Sequence, residues 1–239
     1  GRNVMWRVIV AAFGLLLCFA QQPAVGETGV IAGTVSGEDG SPVVGAYVTL
    51  HLSFTPGQAV RQAFRTHWGV YSGSGGSFRF TGLRNGTYRL CVQAPGAAWL
   101  DPCEWGLAIP SGALSSAVRS QAIAISLRRG AEVPISIDDP GQLVLQSEGR
   151  IAGALLLIGV RTPTGTFRPA VLTSRGLTGR TLKVVIPFDK PVNLTVGSSF
   201  FRLADSTGTP FSGPGRTIPL SVPAGQTPAT VRLSVTGVK

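Results

Sequence analysis

The chain has 239 residues, of which 44% are hydrophobic and 13% charged, and its net charge is +10. Glycine (32 residues) and proline (17) make up about a fifth of the chain, which is high for a helical protein and typical of short strands joined by turns. No stretch combines high polarity with a run of charges, so no long disordered segment is predicted. The only adjacent basic pair is Arg128-Arg129, so the charge predicts a solvated basic surface and no nucleic-acid partner.

Residues 1–26 have the pattern of a secretory signal peptide. Arg2 and Arg7 precede thirteen apolar or small residues, 8–20, and a membrane span needs about twenty. Cleavage is expected after Gly26, with cleavage after Ala20 as the alternative. An uncleaved leader remains the one expected route to a membrane. The mature chain is therefore predicted to be secreted, periplasmic or at the cell surface.

The first half shows the alternation of apolar and polar residues that marks half-buried strands. Turn signals separate the alternating segments, among them Gly37 to Pro42 and the tight-turn pair Asn85-Gly86. Residues 95–120 break the pattern and predict an elaborated loop. The strands predicted in this half are 29–35, 46–52, 60–67, 77–80, 87–93, 121–127 and 132–137.

Two cysteines remain after the leader, which contains Cys18. Cys91 and Cys103 are close together in an exported chain and therefore predict a disulfide. In the segment 87–93, Tyr88 and Leu90 share one face of the strand and Cys91 points to the other. The bond is expected to tie the loop 95–120 to the outer face or the edge of the sheet.

The second half repeats this organisation without clear sequence identity to the first. Its predicted strands are 155–161, 166–173, 182–186, 192–196, 200–204 and 229–236, and no helix is predicted after the leader. The turn Asp138-Asp139-Pro140-Gly141 is the predicted boundary between modules. The chain is thus predicted to be all-β, with two small antiparallel β-sandwich modules at 27–137 and 138–239 behind an N-terminal signal helix.

The first module resembles a carboxypeptidase regulatory-like domain. The similar segments are Gly33-Thr34-Val35, then 39–50, then Gly76 to Phe80, Leu83 and Gly86 to Leu90, and together they cover residues 28–95. The resemblance implies a transthyretin-like (prealbumin-like) sandwich, also grouped with carbohydrate-binding-like folds. It implies a non-catalytic module of an exported bacterial protein, and residues 122–239 resemble a further sandwich module of such proteins.

No catalytic, cofactor or metal site is predicted. A zinc peptidase needs histidine and carboxylate ligands, and the chain has only His51 and His67, without the HxxE spacing. Glu38-Asp39 and Asp138-Asp139 lack the oxygen density of a calcium site, so both are interpreted as turns.

The best ligand-binding candidates are aromatic residues that could stack on a sugar: Trp68 with Tyr71, and Trp99 with Trp105. The competing interpretation is that Trp99 and Trp105 cap the sheet beneath the disulfide loop. The predicted function is a secreted, non-catalytic protein that binds a cell-surface protein or polysaccharide or serves as a structural component. The alternatives are a carbohydrate-binding module and an accessory module of an exported hydrolase.

Overall fold

The structure is a computed structural model that describes residues 29–53, 67–95, 98–115, 117–147, 150, 155–211 and 216–239. The predicted signal peptide and all but the last residue of the predicted strand 60–67 lie outside this part of the chain. The described elements are β1 (Gly29–Gly37), β2 (Tyr47–Ser53), β3 (His67–Tyr71), β4 (Ser77–Leu83), β5 (Gly86–Gln93), β6 (Trp99–Leu100), β7 (Ser111–Leu114), β8 (Ser120–Arg129), β9 (Ala131–Asp138), α1 (Leu143–Ser147), β10 (Leu156–Arg161), β11 (Phe167–Pro169), β12 (Val171–Arg175), β13 (Gly179–Ile186), β14 (Val192–Ser198), β15 (Phe201–Asp205), β16 (Arg216–Leu220) and β17 (Val231–Val238).

The first module is a β-sandwich of two four-stranded sheets. The strand orders are β4-β1-β8-β6 and β3-β2-β5-β7. Because side chains alternate across a strand, β5 buries Tyr88, Leu90 and Val92 and turns the residues between them outward. The buried residues of this core are Ile31, Val35, Val43, Ala46, Val48, Leu50, Phe78, Phe80, Leu83, Tyr88, Leu90, Val92, Leu114, Ile123, Ile125 and Leu127.

The second module is a sandwich of a four-stranded and a five-stranded sheet, with strand orders β11-β10-β14-β16 and β12-β13-β9-β17-β15. Apolar residues from both sheets fill the space between them. Leu100 and Trp105, which precede β7 in the chain, also belong to this second core. The predicted all-β fold with sandwich modules is therefore confirmed, and the loop after β5 connects the two.

Each module closes by pairing its first strand in parallel with its last. β1 pairs with β8 from Val30↔Ser120 to Gly37↔Leu127, and β9 pairs with β17 from Val231↔Ile135 to Ser234↔Asp138. The other eleven strand pairings of the described residues are antiparallel, as predicted. The two closing pairs differ from the prediction because local alternation does not specify the direction of a distant partner.

The boundary between the modules also differs from the predicted one. The sequence places residues 131–137 in the first module, because the turn signal that it offers as a boundary begins at Asp138. In the structure β9 pairs instead with β13 and β17 of the second sandwich. The chain therefore passes from the first sandwich to the second at Gly130. The N–H of Gly130 donates to the Ala98 carbonyl at 2.6 Å.

A short helix, α1, follows β9, where the sequence analysis predicts only a turn. The buried Asp139 carboxylate accepts the N–H groups of Leu143 (2.9 Å) and Val144 (2.8 Å). It thereby satisfies donors that the first helical turn leaves without partners. No helix among residues 29–147 and 155–239 that are described has the length and apolar character needed to span a membrane.

Gly33 permits the close approach of β1 to its parallel neighbour. A Cβ atom at this position would lie 1.7 Å from the backbone carbonyl oxygen of Ile123. Replacing Gly33 with alanine is therefore expected to lower the free energy of unfolding by about 1–3 kcal/mol through overpacking. Urea denaturation followed by circular dichroism measures this loss.

Gly237→Ala in β17 is the matched control, because nothing lies within 4 Å of the added Cβ. That variant is expected to retain wild-type stability. Equal stability of the two alanine variants would contradict the role assigned to Gly33.

Candidate functional site

The disulfide between Cys91 and Cys103 is present, with a Cα–Cα distance of 5.5 Å. Cys91 lies on the face of β5 opposite the buried Tyr88 and Leu90, as predicted. The bond fixes the start of a turn, 101–107, against the outer face of the first module.

Asp101 organises this turn. Its backbone carbonyl accepts the N–H groups of Glu104 (3.2 Å) and Trp105 (3.0 Å). Its carboxylate accepts the N–H of Cys103 at 2.9 Å. Asp101 thus holds the backbone that presents Glu104 and Trp105 to the second module.

The turn makes apolar and charged contacts across the two modules. Trp105 is only 5% exposed and packs within the second core. Arg168 of β11 donates from Nε to the Glu104 carboxylate and places Nη2 3.9 Å from Asp101 Oδ2. The Thr164 hydroxyl donates to the Glu104 carbonyl at 3.3 Å. We call this set of contacts the inter-module joint.

A cleft of about 420 Å³ opens beside the joint. Burial raises the pKa of Asp101 above its ordinary value, although the N–H of Cys103 and the Arg168 guanidinium act in the opposite direction. Lys183 pairs with Glu132 across β13 and β9. The residues lining the cleft are Gln93, Ala94, Trp99, Asp101, Glu104, Trp105, Glu132, Val160, Arg168, Pro169, Val171, Lys183, Val184 and Val185.

The charged groups of the cleft are engaged with one another, Asp101 and Glu104 with Arg168 and Glu132 with Lys183. None of the described residues that line it is a serine, cysteine or histidine. An acyl-transfer site would need a nucleophile within reach of a base. The cleft combines paired charges with apolar lining residues, and these contacts suit the joining of two modules.

The four aromatic candidates lie in three different environments. Trp68 is partly buried against the first core, with its ring centroid 5.8 Å from that of Tyr88. Trp99 and Trp105 both line the cleft, with Trp99 packed against the first core and Trp105 against the second. Tyr71 is the exposed member of the set, at 73%.

Trp99 is also covered by the Arg129 guanidinium, which lies 4.8 Å from the ring centroid. Trp105 is part of the second module's core, whereas the sequence predicts either a stacking platform or a cap on the first sheet. Neither sequence interpretation anticipated the joint, because Glu104 and Arg168 are 64 positions apart. No local pattern connects residues at that separation.

A second set of residues lies on the outer face of the β3-β2-β5-β7 sheet. Tyr47 and Tyr71 are opposite each other, with ring centroids 5.0 Å apart. Gly69 makes room for the Tyr47 ring, since a Cβ there would lie 2.1 Å from the tyrosine hydroxyl. His51 and His67 form a further pair on this face, four register positions along and beyond the pair of Thr49 and Gly69. We call these residues the outer face.

The acidic pairs weighed as calcium sites have structural roles in their turns. Asp39 accepts the backbone N–H of Ser41 at 3.0 Å and its hydroxyl at 2.5 Å, and Asp139 accepts the first N–H groups of α1. Across the described ranges, no three histidine, cysteine or acidic side chains converge as a metal site. The carboxylates of Asp39 and Asp139 thus accept hydrogen bonds within their own local segments.

Residues 30–99 match the carboxypeptidase regulatory-like domain family. No curated protein has a significant match to the chain. The matched segment contains β1 to β5 and ends at Trp99, which lines the cleft. The residues of the joint all follow the matched segment in the chain.

Several solved structures have a similar arrangement of strands. A streptococcal ancillary pilin is 11% identical at a TM-score of 0.44, over 86% of this chain and 62% of that one. The shaft pilin SpaA of Lactobacillus rhamnosus GG is 9% identical at 0.34, over 89% and 99%. A chlorocatechol 1,2-dioxygenase of Pseudomonas putida is 11% identical at 0.32, over 45% and 63%. The chain thus spans less than two thirds of the length of the ancillary pilin.

Proposed function

Because residues 30–99 form a carboxypeptidase regulatory-like domain, we propose that this chain is an exported, non-catalytic protein of two β-sandwich modules. It acts in binding or as a structural component at the cell surface. The Cys91–Cys103 disulfide supports export, since such bonds persist in oxidising compartments. The leader-like pattern of residues 1–26 supports the same location.

The inter-module joint is the observation that carries this proposal. Trp105 of the disulfide-held turn fills the second core, and Arg168 bridges Asp101 and Glu104. A buried aromatic side chain and a set of charged side chains thus connect the two modules. Catalytic sites instead place a titratable group beside a nucleophile or an electrophile. The geometry of the joint therefore favours a role in connecting the two modules over a catalytic role.

Export with formation of the disulfide is the expected result when the full chain is expressed in a bacterium. The protein should be found in the periplasmic or extracellular fraction, with Cys91 and Cys103 protected from alkylation until a reductant is added. Cell fractionation and peptide mass spectrometry measure both properties. The control is the chain without residues 1–26, which should stay in the cytoplasm with both thiols reactive. Cytoplasmic full-length protein with both thiols reactive would contradict the proposal.

A second candidate function is polysaccharide binding by the outer face. Tyr71 is 73% exposed and lies beside Tyr47, so an aromatic surface is available for a sugar ring. Trp99 and Trp105 are less suitable, because both pack against the module cores. The stacking residue of this candidate is therefore Tyr71.

Polysaccharide pull-down separates this candidate from a purely structural role. Tyr71→Ala should abolish retention on the polysaccharide that the wild-type chain binds, whereas Thr173→Ala on the exposed β12 should leave it unchanged. Retention of both variants, or no retention of the wild-type chain on any polysaccharide, would reject the candidate.

A further inference from the structure

We propose that His51 and His67 form a binding site for one divalent late first-row transition-metal ion, such as Zn²⁺ or Ni²⁺, on the outer face of the first module. The two residues are direct cross-strand neighbours on β2 and β3. Their Nδ1 atoms are 3.2 Å apart and their ring centroids 4.4 Å apart. These are the only two histidines of the chain.

The separation of the two nitrogens fits bidentate binding. Zinc–imidazole bonds are about 2.0–2.1 Å long, so two of them at an angle of about 100° place their nitrogens about 3.2 Å apart. Both side chains are exposed. The torsion that turns an imidazole about its bond to Cβ is soft. Both Nδ1 lone pairs can therefore turn toward one ion, and water completes its coordination.

The contacts around the pair fit one consistent assignment of donor and acceptor nitrogens. His51 Nε2 lies 3.3 Å from the Thr49 hydroxyl, which suits a proton on Nε2 and a lone pair on Nδ1. His67 then donates its Nδ1 proton to His51. An arriving ion takes the place of that shared proton, which moves to Nε2 of His67 through solvent. Neutral imidazole is the form that ligates metals.

Among the described residues, Arg89 on β5 lies opposite His51 and places a positive charge beside the pair. Burial, His67 and Arg89 lower the pKa of His51 below its ordinary value. The positive charge of Arg89 would also repel a cation bound between the two rings. Replacing Arg89 with glutamine should remove this repulsion and leave metal affinity equal to or higher than that of the wild type.

Isothermal titration calorimetry of the untagged, oxidised full chain with zinc chloride or nickel chloride tests the site. We expect one ion per chain for the wild type. His51→Gln and His67→Gln should each weaken the affinity at least about tenfold. The reason is that each variant removes one of two ligands that the fold holds close together, and with it the gain from their high effective concentration. The double variant His51→Gln/His67→Gln should show no binding.

Nitrogen-15 NMR spectra report metal coordination by the imidazoles directly, since their chemical shifts would not respond to zinc if the two histidines had only a structural role. Zinc should shift the Nδ1 resonances of both rings together. The proposal is overturned if the wild-type chain takes up neither ion, if the double variant binds as tightly as the wild type, or if neither Nδ1 resonance responds. Circular dichroism of the exposed histidine variants verifies that they remain folded.

Discussion

Replacing Trp105 with alanine is expected to lower the free energy of unfolding by about 3–5 kcal/mol, the usual cost of removing a large aromatic side chain from a core. Trp105 is 5% exposed and packs with residues of the second sandwich. The loss should therefore affect the second module, although Trp105 precedes that module's first strand, β9. Urea denaturation followed by circular dichroism measures the effect without relying on the fluorescence of the missing indole.

Two variants serve as controls for the Trp105→Ala prediction. Trp105→Phe retains most of the buried apolar volume and should lose less stability than Trp105→Ala. Tyr71→Ala removes a side chain that is 73% exposed and should change stability by no more than about 0.5 kcal/mol. If Trp105→Ala were as stable as Tyr71→Ala, the assignment of Trp105 to the second core would be wrong.

Removing the disulfide is expected to cost about 3 kcal/mol in the variant Cys91→Ser/Cys103→Ser. The bond closes a loop with a sequence separation of 12, and the constraint it places on the unfolded chain accounts for a loss of this size. The variant should also loosen the turn that carries Glu104 and Trp105. Chemical denaturation of the oxidised wild type and of the variant measures the difference.

The coupling between the disulfide and the joint can be measured by a double-mutant cycle. The effect of Trp105→Ala should be smaller in the serine variant than in the oxidised chain, because the freed turn no longer holds Trp105 firmly in the second core. Wild-type protein in the presence of reductant should behave like the serine variant. Strict additivity of the two changes, or a serine variant as stable as oxidised wild type, would show that the bond does not support the joint.

Strands with regular alternation were predicted well from the sequence. β5 is a clear case, because Tyr88, Leu90 and Val92 are buried and Cys91 points away from them. The turn at Asn85-Gly86 was also visible in advance. The short strands β6, β7 and β16 were missed, since two to five residues carry too little alternation to be distinguished from loop.

The candidate site was predicted only in part. The disulfide and the exposed Tyr71 were both named from the sequence, and the four aromatic candidates included Trp105. The burial of Trp105 in the second core and its neighbours Asp101, Glu104 and Arg168 were not anticipated. The cross-strand pairing of His51 with His67 was likewise missed, because β3 begins at His67, the last residue of the strand predicted at 60–67.

The all-β class, the sandwich character of the modules, the first module's family and the cysteine pairing were all predictable from the amino-acid sequence. These properties follow from local alternation, from turn residues and from two cysteines close together in the chain. The parallel closing pairs, the change of sheet at Gly130 and the joint formed by Trp105, Glu104 and Arg168 became visible only in the folded chain. Those features depend on contacts between residues far apart in the chain, which a local pattern does not encode.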